Sequence, residues 1–304
     1  MYTHVDEAQL QSLLNQMNAG QLTAITPLSG GLANSNFRID RADRSPLVLK
    51  VCDERSIEEA RLVAEQAVWI ADHSVPTPKP LPSPDGGWIT VIGGRAWMFQ
   101  PFIAGQWISP TKPALQSLGR ALAQLHQVPE PPGLCSVFNM GFPLFQTIVD
   151  KVDKTNTVHP FAETLRDALQ TLQHQLPTDI PKGIIHGDLF PSNALEQDGS
   201  LVAILDWEEI CHERFALDLA MTVVGHGWKG NQPVPERWQH IRSGYESVRP
   251  LEAVELASMA DFHRYAILSI GAWRFNQFVL DHPELTPTNS FEEMVERLTI
   301  PYPF

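Results

Sequence analysis

"GIIHGDLFPSNALEQDGSLVAILDWEEI", from Gly183 to Ile210, sets His186, Asp188, Asn193 and Asp206 among short apolar runs. "GIIH" has the composition of a short buried strand, which "GDLFPSN" cannot continue because of Gly187 and Pro191. "SLVAILD", after the turn dipeptide Asp198-Gly199, reads as a second strand. Asp188 and Asn193 therefore share a loop, and Asp206 ends a strand. Turn chemistry alone offers one explanation, since Asp and Asn readily bond to their own backbone.

Phosphoryl transfer from a nucleotide offers another. It needs a carboxylate near the acceptor hydroxyl and oxygen ligands for the magnesium that bridges the phosphates, because its catalysis is mostly positioning and charge neutralisation. The protein-kinase catalytic loop reads His-Arg-Asp-Leu-x-x-x-Asn. Residues His186-Gly187-Asp188-Leu189-Phe190-Pro191-Ser192-Asn193 match every fixed position except the Arg. The histidine, the strand context and the later strand-end Asp206 favour this reading over the turn explanation.

Such a site requires a lysine at the end of an upstream strand and a glutamate on the following helix to hold it. "LVLKVCD" supplies Lys50, the only lysine in the first 78 residues. Glu58, Glu59 and Glu65 are its possible partners, and Glu65 is the expected one, far enough along the helix to point back toward the sheet. "SGGLANSNF" carries Gly30 and Gly31 between the first two strands, where backbone N–H groups could cover phosphates or simply turn a hairpin. A Walker-type Gly-x-x-x-x-Gly-Lys-Ser/Thr is absent, as is a strand-linked Gly-x-Gly-x-x-Gly. His126 in "LAQLHQVP" reads as a packing histidine near a helix end. Asp218 in "ALDLAMTV" reads as a structural anchor rather than a catalyst.

Around these residues the chain changes character once. Leu10, Leu13, Leu14 and Met17 mark a short amphipathic helix, followed by a three-strand meander over Leu22 to Cys52. Leu62, Val63, Ala67, Ile70 and Ala71 mark a helix ended by the prolines at 76 to 84, and "WITVIGGRAWMFQPF" reads as a hairpin turning at Gly93-Gly94. Beyond it, helical spacing dominates: Leu115 to Leu125, Phe161 to Leu172, and about Leu251 to Leu280. The fold class expected is α+β, with an N-terminal lobe of antiparallel sheet plus helices over 1–103 and a larger, mainly helical lobe over 104–304.

Composition narrows the partners. A chain of 304 residues with a net charge of −13 repels a phosphate backbone, and no run of Lys and Arg interleaved with aromatics makes a local exception, so no nucleic acid is expected. The three cysteines, Cys52, Cys135 and Cys211, lack metal-site spacing and read as reduced core thiols of a cytoplasmic protein. "MYTHVDEAQL" has no basic-then-apolar signal and the apolar stretch Tyr265 to Trp273 is too short to span a bilayer, so no membrane is expected either.

"IIHGDLFPSN", "ILDWEE" and "FALDLA", with "LGRALAQLHQVP" upstream, resemble the aminoglycoside phosphotransferase and choline kinase superfamily over nearly the whole chain. Within it the resemblance is strongest to the second type of homoserine kinase, in "MYTHVDEAQLQSLL", "GGLANSNFRI", "HGDLFPSN" and "SGYESVRPLEAVE". The resemblance implies a two-lobed protein-kinase-like fold with ATP in the cleft. Asp188 would be the base, Asn193 and Asp206 the magnesium ligands, and Lys50 the contact to the nucleotide phosphates. Adenine would meet the backbone near Phe99 to Phe102, Gln100 and Phe102 included. One departure is "LDWEEICHERF", which carries Glu208 and Glu209 where that kinase is expected to be more aromatic and less acidic.

The leading expectation is thus an ATP- and Mg2+-dependent kinase acting on the hydroxyl of a small molecule, most specifically L-homoserine, on the route to threonine. An aminoglycoside, choline or another amine-bearing alcohol is the alternative acceptor, with Glu208 and Glu209 as its counter-charges. A nucleotide-binding regulator without catalysis would normally lack the lysine or an aspartate, and here neither is missing.

Overall fold

The computed structural model describes residues 3–28, 34–42, 44–155, 158–285 and 290–304, so the Gly30-Gly31 pair lies outside the described residues. The chain divides into two compact units: Met1–Gln106 with Val202–Glu208, and Trp107–Leu201 with Glu209–Phe304.

The first unit opens with α1 (Glu7–Gln16), whose first turn is capped by the Asp6 carboxylate accepting the Gln9 N–H at 2.7 Å. Then come β1 (Leu22–Leu28), β2 (Asn34–Arg41), β3 (Arg44–Cys52), α2 (Ile57–Asp72), β4 (Thr90–Ile92) and β5 (Arg95–Pro101). The strands form one antiparallel sheet in the order β1-β2-β3-β5-β4. The meander and the hairpin over Gly93-Gly94 are both present, and the two glycines take the positive φ values, +57° and +77°, that such a turn requires.

Alternation along the strands splits the core in two. Leu47, Leu49, Val51, Phe37, Ile39, Trp97 and Phe99 face Leu10, Leu13 and Leu14 of α1. Cys52, Ala96 and Met98 face Ala60 and Ala64 of α2. Lys50 lies between Leu49 and Val51 in sequence, so its side chain projects from the α2 face, beside its cross-strand partner Met98.

The boundary strand β6 (Gln106–Trp107) leads into the second unit and its helices α3 (Lys112–Leu125), α4 (Phe142–Lys154), α5 (Pro160–Gln170) and α6 (Leu172–Gln175). Strands β7 (Lys182–Ile185), β8 (Ala194–Gln197), β9 (Ser200–Ile204, of which Val202–Ile204 count with the first unit) and β10 (Cys211–Arg214) follow, then α7 (Phe215–His226), β11 (Trp228–Lys229) and β12 (Gln232–Pro233). Helices α8 (Pro235–Glu246), α9 (Ala253–Phe275) and α10 (Phe291–Leu298) complete it. Strand β7 pairs antiparallel with β10, Ile185 opposite Cys211.

Close backbone approach fixes α3 against α8. A Cβ on Gly119 would lie 2.0 Å from the Ile241 carbonyl oxygen, and one on Gly244 would lie 2.0 Å from that of Gln116. Only glycine permits this approach. Among the described residues no helix is long and apolar enough to cross a membrane. The cysteines divide differently from expectation: Cys52 and Cys211 are buried, but Cys135 is exposed. Its loop, between α3 and α4, lies at the surface. Burial pushes the Cys52 thiol up to about 11, which keeps it protonated.

Candidate active site

In the second unit the decisive loop runs between β7 and β8. Gly187 has φ +79°, and a Cβ there would sit 2.8 Å from the Glu209 carbonyl oxygen, so the position demands glycine twice over. The turn brings Asp188 and Asn193 together. Asn193 Nδ2 donates to the Asp188 carbonyl at 2.8 Å and to Asp188 Oδ2 at 3.0 Å, while Phe190 N–H also reaches the Asp188 carbonyl, at 2.8 Å. Two acceptors on one side fix the Asn193 amide and leave its Oδ1 turned away from them. Asp188 N–H donates to His186 Nδ1 at 3.2 Å. The motif histidine therefore braces the loop from within.

The loop is held from below by Asp218, fully buried on α7. Its two carboxylate oxygens accept the N–H groups of His186 (2.7 Å) and Gly187 (2.9 Å), and Oδ2 also faces His126 Nε2 at 3.1 Å. Burial opposes the charge on Asp218, yet the His126 hydrogen bond and the loop N–H groups outweigh it and hold its pKa below the usual carboxylate range. Burial lowers the pKa of His126 despite that carboxylate. A neutral His126 donates from Nε2, so its Nδ1 accepts the Tyr245 hydroxyl at 2.7 Å. Tyr245 in turn accepts from Arg249 Nη1 at 3.0 Å, and Arg249 grips Glu255, fully buried, with two bonds of 3.0 Å. One buried polar chain thus runs from the start of α9 to the backbone of the loop.

In the first unit the segment Val202–Glu208 is tied down by Ile204 N–H to the Pro76 carbonyl (2.7 Å) and Trp207 Nε1 to Thr77 Oγ1 (2.8 Å). Asp206 has φ +64°, a sparsely populated conformation for a non-glycine residue. From this kinked segment both Asp206 Oδ1 (3.0 Å) and Glu208 Oε1 (2.5 Å) reach Lys50 Nζ. Burial alone would lower the Lys50 pKa, but the two carboxylates outweigh it and raise it. Lys50 is therefore a fixed cation.

This corrects the expected Lys50–Glu65 pair. Among the described residues Lys50 has no ion pair with Glu58, Glu59 or Glu65, all three of which are exposed on α2. Glu59 closes the Ser56 capping box, and the buried side of the helix is formed by Ala60, Ala64, Gln66, Ala67 and Val68. Glu208, with Arg55 and Asn34 bonded to it, is the neighbourhood of Lys50 that sequence reasoning missed. The carboxylate of Glu208, the expected counter-charge for an amine-bearing alternative acceptor, is taken by Lys50, Arg55 Nε (3.2 Å) and Asn34 Nδ2 (2.7 Å).

Phe102 N–H donates to the Pro46 carbonyl at 3.1 Å. Alternation along an antiparallel ladder then makes Val48–Gln100 a hydrogen-bonded pair as well, and Leu47–Pro101 a non-bonded one. The sheet takes the backbone groups of Gln100 and the N–H of Phe102, so neither residue offers these to a ligand as expected. The Phe102 ring is covered by the Arg38 guanidinium, 4.6 Å from its centre. On the edge away from β3, the Phe99 carbonyl accepts Leu81 N–H at 2.8 Å, and the Pro101 carbonyl points the same way.

No three His, Cys, Asp or Glu side chains gather as a metal site among the described residues. The first unit thus holds a buried lysine between the carboxylates of Asp206 and Glu208, and the second holds a loop aspartate pinned by an asparagine.

Comparison with known proteins agrees. The model of the phosphotransferase enzyme family, APH, matches residues 24–251, and the chain belongs to that family. Homoserine kinases of Rhodospirillum rubrum and Azorhizobium caulinodans are 30% and 29% identical to it, over 85% and 88% of this chain and 82% and 85% of theirs. An amicoumacin kinase solved with AMP-PNP and Ca2+ superposes with a TM-score of 0.72 at 17% identity, covering 99% of this chain and 96% of that one. The fold is protein-kinase-like, an N-terminal antiparallel sheet followed by a helical C-terminal part.

Proposed function

We propose that the protein transfers the γ-phosphoryl group of ATP to the hydroxyl of L-homoserine, giving O-phospho-L-homoserine and ADP. The observation that supports the chemistry is the pair of hydrogen bonds from Asn193 Nδ2 to Asp188, which orients the carboxylate we take as the base and the amide whose oxygen we take as a metal ligand. The acceptor rests on the likeness to homoserine kinases across more than four-fifths of both chains, 85% and 82% for the Rhodospirillum rubrum enzyme.

In this reading the Asp188 carboxylate accepts the hydroxyl proton as the acceptor oxygen bonds to the γ-phosphorus, and the bond from that phosphorus to the β,γ-bridging oxygen breaks, releasing ADP. Lys50 neutralises phosphate charge. The Pro101 carbonyl receives the adenine amino group. Asn193 Oδ1 and the Asp206 carboxylate would hold magnesium, which supplies charge neutralisation on the phosphates when bound.

An acceptor panel with ADP release as the common readout tests the proposal. L-homoserine is expected to give the highest kcat/KM, well above choline, ethanolamine and an aminoglycoside. Preference for any of those three would overturn the acceptor and keep the chemistry.

A further inference from the structure

We infer that Glu208, and not a glutamate of α2, is the residue that positions Lys50 for the nucleotide, and that it couples Lys50 to the start of β2. The inference rests on the proposed function, in that Lys50 is taken to meet the phosphates.

Three facts carry it. Glu208 Oε1 is closer to Lys50 Nζ than Asp206 Oδ1 is, 2.5 against 3.0 Å. The Glu208 side chain is 11% exposed and that of Asp206 41%, so the two carboxylates meet different demands. An exposed carboxylate on a strained backbone can exchange a lysine for a metal ion, whereas a buried one already paired cannot leave without stranding charge. Finally, Glu208 is a hub: Oε1 also accepts Asn34 Nδ2 at 2.7 Å, Oε2 accepts Arg55 Nε at 3.2 Å, and its carbonyl accepts Arg55 Nη2 at 2.9 Å. Asn34 begins β2, and Arg55 stands just before the Ser56 cap of α2. One carboxylate therefore fixes Lys50 relative to both. Among the described residues Glu65 has no such connection.

These contacts divide the labour: Asp206, the more exposed carboxylate, would be available to hold a metal ion, while Glu208 stays on Lys50. Replacing Glu208 then harms nucleotide use and spares the acceptor.

A double-mutant cycle read by urea unfolding of the full chain tests the pairing without any ligand. Lys50→Met and Glu208→Gln are expected to be non-additive by about tenfold or more in the unfolding constant, and Lys50→Met with Glu65→Gln to be additive. In turnover, Glu208→Gln is expected to raise the ATP KM at least about tenfold with the acceptor KM within about twofold, and Glu65→Gln to change neither. Additivity of the first pair, or an ATP KM in Glu65→Gln equal to that of Glu208→Gln, would overturn the inference. If Glu208→Gln does not fold, Glu208→Asp serves: modification of Lys50 by an amine-reactive ester, followed by peptide mass spectrometry, should quicken several-fold, and an unchanged rate contradicts the pairing. Because the cycle and the labelling use no acceptor, their outcome stands whether or not homoserine is the substrate.

Discussion

Asp218 accepts the backbone N–H groups of both His186 and Gly187, at 2.7 and 2.9 Å, from a position with no solvent exposure. Asp218→Asn would turn an N–H2 group toward one of those donors and remove the charge from both bonds. Stability is expected to fall by about 2–4 kcal/mol in urea unfolding, since bonds to a buried charge are worth more than neutral ones. The kcat should fall by up to about 10²-fold, as expected when a catalytic carboxylate is misplaced by an ångström.

Tyr245→Phe removes the hydroxyl between His126 and Arg249 and leaves His126 Nδ1 without its donor. A stability loss of about 1–3 kcal/mol is expected, with kcat lowered and both KM values kept. Steady-state kinetics beside the unfolding curve separate loop positioning from binding.

Gly187→Ala places a methyl 2.8 Å from the Glu209 carbonyl at φ +79°. Backbone strain and the clash together are expected to cost about 1–3 kcal/mol and most of the activity, read by thermal melting and ADP release.

Acid should weaken the fold first through two buried histidines. Burial lowers His226 to about 4 and His263 to about 3, the latter reinforced by the Arg297 charge. Both are neutral in the folded chain and take up protons on unfolding below about 6.5, so their contribution is complete above that pH and is lost as pH falls toward the folded values. Two such groups remove roughly 4 kcal/mol between pH 7 and 5. His126 is shifted in the same direction. Asp218, whose folded pKa is depressed, adds a further loss only below about pH 4. Urea midpoints at pH 7, 6 and 5 check the slope, and His263→Gln, which keeps an acceptor for Trp228 Nε1, should make it shallower.

What the sequence disclosed depended on whether local chemistry was one-sided. The sheet of the first unit alternates, so its meander and hairpin were legible, as were α1, α3 and α5 with their single apolar faces. Helix α7, by contrast, is buried at every position except Gly225, so "FALDLAMTVVGH" has no polar face to set a period. Asp188, Asn193 and Asp206 were legible because turn and strand-end signals flank them. Their supports were not, because Glu208, Asn34 and Arg55 meet only through the path of the chain. "SGYESVRPLEAVE" carries part of the resemblance to the second type of homoserine kinase. It supplies Tyr245, Arg249 and Glu255, three members of the buried chain that reaches the loop.

The most direct measurement is phosphoryl transfer from ATP to L-homoserine, followed as ADP release and as the phosphorus-31 resonance of a new phosphate monoester, in the wild-type chain and in Asp188→Asn. The wild type should form one monoester per ADP. The variant should bind ATP with little change while turnover falls about 10²–10⁴-fold, the contribution of a positioned general base. Equal turnover in the two chains would contradict the assignment of Asp188.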